Sequence, residues 1–270
     1  MNNLQSRWGD IMRFAHGLDE LERTTALATS VASLEVALTA LGIPKVSKQG
    51  FLNRFETSSL ISRVKDAPTI AEIKAAVEAR NRAVHGQPVP DPKQCVAHAK
   101  ALFKTWCGLR RLYVTRETAG RLAMEFLASG AVTHVFLFGS LAVRGRKDPK
   151  DIDLLLYDDG ELSSISRRYR GTVENWFLDE IFSDHSAVEA ALRLGWLDYL
   201  VIHGKRFGHD KQYTQSVVRQ QADSLFFVNI ADAILKYDIS KRKWTVDRPK
   251  IFLRLASIKE QLAIENIVSA

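Results

Sequence analysis

Apolar residues recur at Leu27, Val31, Leu34, Leu38 and Leu41, in steps of four, three, four and three, painting one stripe along a helix that Gly42 and Pro44 end. A Ser/Gly/Lys-rich connection near 47–50 follows, and the pattern predicts a second helix over Phe51–Lys65, closed by Asp66-Ala67-Pro68. Thr69 with Glu72 three residues on forms a capping box for a third helix. Its expected apolar stripe is Ile70, Ile73, Val77 and Val84, and Gly86 and Pro88 stop it. A fourth helix is expected from Pro92 to about Tyr113. Beyond it the period changes. Thr115 is expected to cap a helix over Arg116–Ala128, which would cover a sheet. Val132–Phe138 is β-branched and aromatic, Ile152–Tyr157 reads as a second strand, and Trp196–Ile202 is a third strand-like segment. Gln212–Ser240 mixes both periods, Lys241-Arg242-Lys243-Trp244 suits a surface hairpin anchored by its Trp, and Ile251–Val268 has helical spacing.

The expected fold is therefore α+β. An all-α four-helix bundle over residues 1–113 precedes a small mixed sheet with flanking helices over 114–270, which ends in a helical extension. A chain of 270 residues with 46% hydrophobic content is long enough for two cores. No run of eighteen apolar residues and no leader-like N-terminus is present, so a cytoplasmic protein without membrane contact is expected. Cys95 and Cys107 lie too far apart along one helix to bond each other, and no Cys/His set has zinc spacing. The net charge of +7 is uneven: residues 1–113 hold 16 Lys/Arg against 10 Asp/Glu, and the remainder 22 against 21. The basicity of the first half favours contact with a polyanion such as RNA.

Candidate chemistry concentrates where the first strand ends. Phe138-Gly139-Ser140-Leu141-Ala142-Val143-Arg144-Gly145 places a Gly-Ser turn after a buried strand, where backbone amides and a hydroxyl can hold phosphate. Asp151 and Asp153 are two apart at the head of the next strand, so they share a face and can grip one hard cation, with magnesium expected. This segment, residues 132–157, resembles the minimal nucleotidyltransferases of the polymerase-β-type superfamily. The resemblance implies that Gly139, Ser140, Arg144 and Gly145 bind the phosphates of an NTP, with ATP the first expectation. It also implies that Asp151, Asp153 and a third carboxylate bind Mg2+, in a one- or two-metal site. Trp196–Ile202 is the only later strand-like run with a carboxylate, which nominates Asp198 over Asp158, Asp159, Asp179, Glu180 and Asp184.

A second resemblance lies in the first half. Arg80 falls on the apolar stripe of the third helix and His85 at its C-terminal end, where a carboxylate across the bundle and the helix dipole respectively would account for them. Yet Arg80-Asn81-Arg82-Ala83-Val84-His85 resembles the signature of HEPN domains. That resemblance implies a four-helix bundle that dimerises, with Arg80, Asn81 and His85 lining an RNA-binding, metal-independent ribonuclease cleft. Histidine suits proton transfer near neutral pH, and arginine suits a scissile phosphate. HEPN and minimal nucleotidyltransferase modules occur as toxin and antitoxin pairs, the transferase attaching AMP to a tyrosine two residues after the motif His. Here that position is Gln87, which has no phenol.

Three functions follow as expectations. The first is NMP transfer from ATP or another NTP to a hydroxyl of protein or RNA, possible acceptors including tRNA, in a toxin–antitoxin or defence setting. The second is a HEPN ribonuclease controlled in cis by the fused transferase-like module. The third is a non-catalytic RNA- or protein-binding module.

Overall fold

The computed structural model describes residues 20–45, 50–64, 67–88, 91–146, 148–158, 181–220 and 233–246. It is mixed α+β, and the chain divides into two compact units. Elements are numbered among the described residues.

The helical unit contains α1 (Glu20–Ala40), α2 (Phe51–Thr57), a 3-10 turn (Leu60–Arg63), α3 (Ile70–Val84), α4 (Pro92–Tyr113) and α7 (His185–Leu194). Four residues of the stripe on α1 are buried as the spacing predicts, Leu27, Val31, Leu34 and Leu38 each being no more than 3% exposed, whereas Leu41 lies past the helix end and is half-buried. The Thr69–Glu72 capping box opens α3, with the Glu72 backbone N–H donating to Thr69 Oγ1 and the Thr69 N–H to Glu72 Oε2. These bonds hold the Glu72 carboxyl below its ordinary range.

Three expectations need correction here. The helix expected over Phe51–Lys65 breaks at Thr57, because Ser59 takes a positive φ of 56° and the chain re-enters as a 3-10 turn. Val84 is 50% exposed, and the buried face of α3 is finished by Ala76, Ala79 and Ala83. Small residues let the neighbouring helices approach, and the larger Val84 is left at the frayed end. Finally, the unit boundary after Tyr113 is not the only one. Asp184–Trp196 belongs with the helices although it lies in the middle of the second half of the chain. Helix α7 packs on α1, and Gly195 in the left-handed region (φ 66°) lets the Trp196 N–H donate back to Ala191 O. Trp196, fully buried, then packs against Trp106 and Tyr113 of α4 at ring-centroid distances of 5.7 and 5.9 Å.

The sheet unit contains α5 (Arg116–Ala128), β1 (His134–Phe138), α6 (Gly139–Ala142), β2 (Ile152–Asp158), β3 (Leu197–His203), α8 (Lys211–Gln220), β4 (Leu235–Asp238) and β5 (Lys243–Val246). Strand order is β3-β2-β1-β4-β5, with β2 and β3 parallel and the other neighbours antiparallel. Phe136, Phe138, Leu155, Leu200, Ile202, Phe207 and Val217 form one core cluster on it. Thr115 accepts from the Thr118 N–H and caps α5 as its sequence predicts. The expected hairpin is present as β4–β5: Trp244 packs edge-on to Tyr237, and its Nε1 donates to Arg116 O. Lys205–Gly208 lies in a turn fixed by the Arg206–Asp210 ion pair at 2.8 Å. The helical spacing expected over Ile251–Val268 lies outside the described residues. Among the described residues no helix is long and apolar enough to cross a membrane.

One close contact in the helical unit makes a test. A Cβ added at Gly108 would sit 2.0 Å from Val64 Cγ1, so α4 can pass the end of the 3-10 turn only without a side chain there. Gly108→Ala should destabilise this unit by roughly 1–3 kcal/mol, the usual cost of overpacking. Combining it with Val64→Ala should recover part of that loss in denaturant titrations. Equal stability of Gly108→Ala and wild type would refute the contact.

Candidate active site

The turn at the end of β1 is built around one backbone position. Gly139 has φ +67°, in the region that disfavours side chains, and a Cβ there would lie 1.9 Å from Asp153 Oδ2. Only glycine therefore lets the turn rest on the carboxylate of the adjacent strand. The register brings this about, since Phe138 pairs with Asp153 across the antiparallel β1–β2 ladder. Residues 139–142 then form α6, a single helical turn. Ser140, its second residue, is half-buried, and its Oγ is enclosed with no hydrogen-bond partner among the described residues.

Asp153 and Asp198 are Cα partners in the parallel β2–β3 ladder, so equivalent positions on neighbouring strands carry both carboxylates. Asp151 precedes Asp153 by two residues, immediately before β2. Asp151 and Asp153 are half-buried, and Asp198 is exposed. Burial first, then the negative charges of Asp151 and Asp198, push the Asp153 carboxyl up to about 8. Two like charges beside a desolvated carboxyl make its ionised form costly, and a cation is the natural relief. Among the described residues, however, no three His, Cys, Asp or Glu side chains are drawn together as a ready-made metal cluster.

A cavity of about 270 Å³ opens beside the turn, lined by Arg116, Ser140, Leu141, Val143, Arg144, Gly145, Arg146 and Pro149. Arg144 and Gly145 are exposed there, and Gly145 takes φ +78°. Ser140, Arg144 and Gly145 are expected there from the sequence, and Arg116 is not. Arg116 donates from Nε to Leu141 O at 3.0 Å and from Nη2 to Ala142 O at 2.9 Å. These carbonyls belong to the last turn of α6, where a helix leaves its acceptors unsatisfied. An arginine 25 residues upstream at the start of another helix has no local signature, and only the fold connects it to the turn.

In the helical unit, Arg80 is half-buried on α3 and donates from Nη1 to Asn81 Oδ1 at 3.0 Å. It makes no ion pair among the described residues, so the carboxylate partner that would explain it as a bundle strut is absent from them. Its Nε is buried and without a partner there. Asn81 and His85 are exposed. His85 occupies the C-cap of α3, its backbone N–H donating to Asn81 O and Arg82 O.

The elevated Asp153 carboxyl has a consequence for stability. The folded chain holds this proton up to about pH 8, whereas the unfolded chain releases it near 3.8. The folded state therefore binds more protons across that window, and stability falls as pH rises through it. With a chelator present, wild type should lose roughly 1–3 kcal/mol more than Asp153→Asn between pH 5 and pH 8. Parallel pH–stability curves for the two proteins would show that Asp153 is not held protonated.

Compared with family models, curated proteins and solved structures, the chain gives no match.

Proposed function

We propose that the sheet unit is a magnesium-dependent nucleotidyltransferase that moves NMP, first of all AMP from ATP, onto a hydroxyl of a protein or RNA. The observation that supports this reading most is the contact of Gly139 with Asp153. It sets the Ser140 turn, whose hydroxyl has no partner among the described residues, directly against a carboxylate that feels the charge of two more. Gly139 and Ser140 hold phosphate oxygens, and Arg144 and Gly145 carry that contact along the turn. Asp151 and Asp153, with Asp198, are the residues that would hold magnesium, and the elevated Asp153 carboxyl fits a site completed by a cation. Bound there, the ion would neutralise charge on the transferred phosphorus and the departing pyrophosphate.

The reaction joins the acceptor oxygen to the α-phosphorus as the α–β phosphoanhydride bond breaks and pyrophosphate leaves. The acceptor proton goes to the exposed Asp198 carboxylate, which stands one strand from Asp153 in register. With Asp151→Asn/Asp153→Asn, label transfer from α-labelled ATP to protein or co-purified RNA should fall at least 100-fold while circular dichroism is unchanged. Equal labelling by this double variant sinks the reading.

A second activity is favoured by Arg80, a half-buried arginine with no carboxylate partner among the described residues and with Asn81 held to its guanidinium. Under this reading the helical unit is a HEPN-type ribonuclease, active as a dimer. His85 moves the proton of the RNA 2′-hydroxyl, and Arg80 stabilises the phosphate. The exposed Lys93, Lys100, Lys104 and Arg111 lie along one edge of α4, a helix without any Asp or Glu, and suit RNA phosphates. Arg80→Ala/His85→Ala should abolish cleavage of bulk RNA by the purified chain. Cleavage that survives both changes assigns it to another site.

A further inference from the structure

The cavity beside the Gly139–Ala142 turn has an unusual wall. Three of its eight lining residues are arginines, Arg116, Arg144 and Arg146, and none is acidic. Asp153 and Asp198 lie on the neighbouring strands and do not line it. Arginines facing a common space repel one another unless an anion joins them, and no carboxylate in the wall performs that service. Planar guanidinium groups match phosphate oxygens in pairs, which a lysine cannot do.

Arg116 differs from the other two. Nε and Nη2 are committed to Leu141 O and Ala142 O, leaving Nη1 with no protein partner among the described residues. Its main chain is held as well, because Trp244 Nε1 donates to Arg116 O at 3.2 Å. Close packing secures that bond: a Cβ on Gly120, one turn further along α5, would lie 3.2 Å from the Tyr237 ring and 3.7 Å from Trp244 Nε1. Arg116 is thus fixed by the β4–β5 hairpin on one side and fixes the serine-bearing turn on the other.

With the donor's phosphates placed in this cavity, we propose that Arg116 is their positioning residue, bracing the turn through two carbonyls while offering its third nitrogen to a phosphate oxygen. The inference deepens the transferase reading, on which the identity of the phosphate-bearing molecule rests. Arg146, which makes no bond to the turn among the described residues, contributes charge only.

Titration calorimetry of the full chain with inorganic tripolyphosphate, in chelator and without metal, tests this directly. Wild type should bind, Arg116→Ala should bind at least tenfold more weakly, and Arg146→Ala should lose about fivefold with an unchanged melting midpoint. Lys205→Ala, which removes one positive charge from a turn elsewhere in the same unit, should bind as wild type does. No binding by wild type overturns the proposal, as does an equal loss in Arg116→Ala and Lys205→Ala. Should Arg116→Ala fail to fold, unchanged affinity in Arg146→Ala overturns it. Tripolyphosphate binding with the expected losses but no NMP transfer leaves the oligophosphate site standing and removes the transferase reading. NMP transfer with tripolyphosphate affinity indifferent to Arg116 does the reverse.

Discussion

The sheet unit is organised around the absence of one atom. If Gly139 carried a Cβ, that carbon would stand 1.9 Å from Asp153 Oδ2, and either the turn would lift from β2 or the carboxylate would be driven from its place. Because neither happens, the last residue of β1 and the second of β2 stay paired, and the carboxylate stays beneath the turn. The elevation of Asp153 follows from the same contact. The turn that approaches it also shields it from water, and a shielded carboxyl between two charged neighbours keeps its proton. Strand register, backbone conformation and proton affinity are therefore one constraint seen at three scales.

A single helical turn of four residues cannot stabilise itself, since it closes almost no hydrogen bonds of its own. Residues 139–142 are held from outside instead. The β1–β2 ladder fixes their start and the Arg116 guanidinium takes up carbonyls at their end. Arg116 is in turn placed by α5, whose first residues are secured by the Thr115 cap and by Trp244. The edge hairpin, far from the turn in sequence, thereby governs its shape, and the hairpin's tip is free to carry the exposed Lys241 and Lys243.

Elements whose formation depends on nearby residues were legible. The Thr69 capping box, the Thr115 cap, the stripe on α1 and the strands ending at Phe138 and beginning at Ile152 all rest on interactions within a few positions. Asp198 is the carboxylate of the next strand-like run, and the β2–β3 register sets it opposite Asp153. What stayed hidden depends on partners far along the chain. The helix His185–Leu194 is amphipathic by inspection, but nothing local says that its apolar face meets α1 rather than the sheet. The break at Ser59 was invisible because serine carries no preference for positive φ. Val84 was misassigned because periodicity counts large apolar residues, whereas close helix approach is served by Ala76, Ala79 and Ala83.

Average composition is silent about the site. The second half of the chain holds 22 basic and 21 acidic residues, a balance that by itself argues for no charged ligand. Within the sheet unit the two signs are nevertheless sorted, with Asp151, Asp153 and Asp198 at the head of two parallel strands and Arg116, Arg144 and Arg146 around the adjoining cavity. Electrostatic energy falls with distance, so an average over 157 residues erases the quantity that matters to a ligand a few ångströms long. On the proposed reading, a molecule that carries a row of anionic oxygens and recruits a cation would meet both groups. That pairing of a basic wall with an acidic ledge is what distinguishes this surface from an ordinary solvated one, and neither half would make the argument without the other.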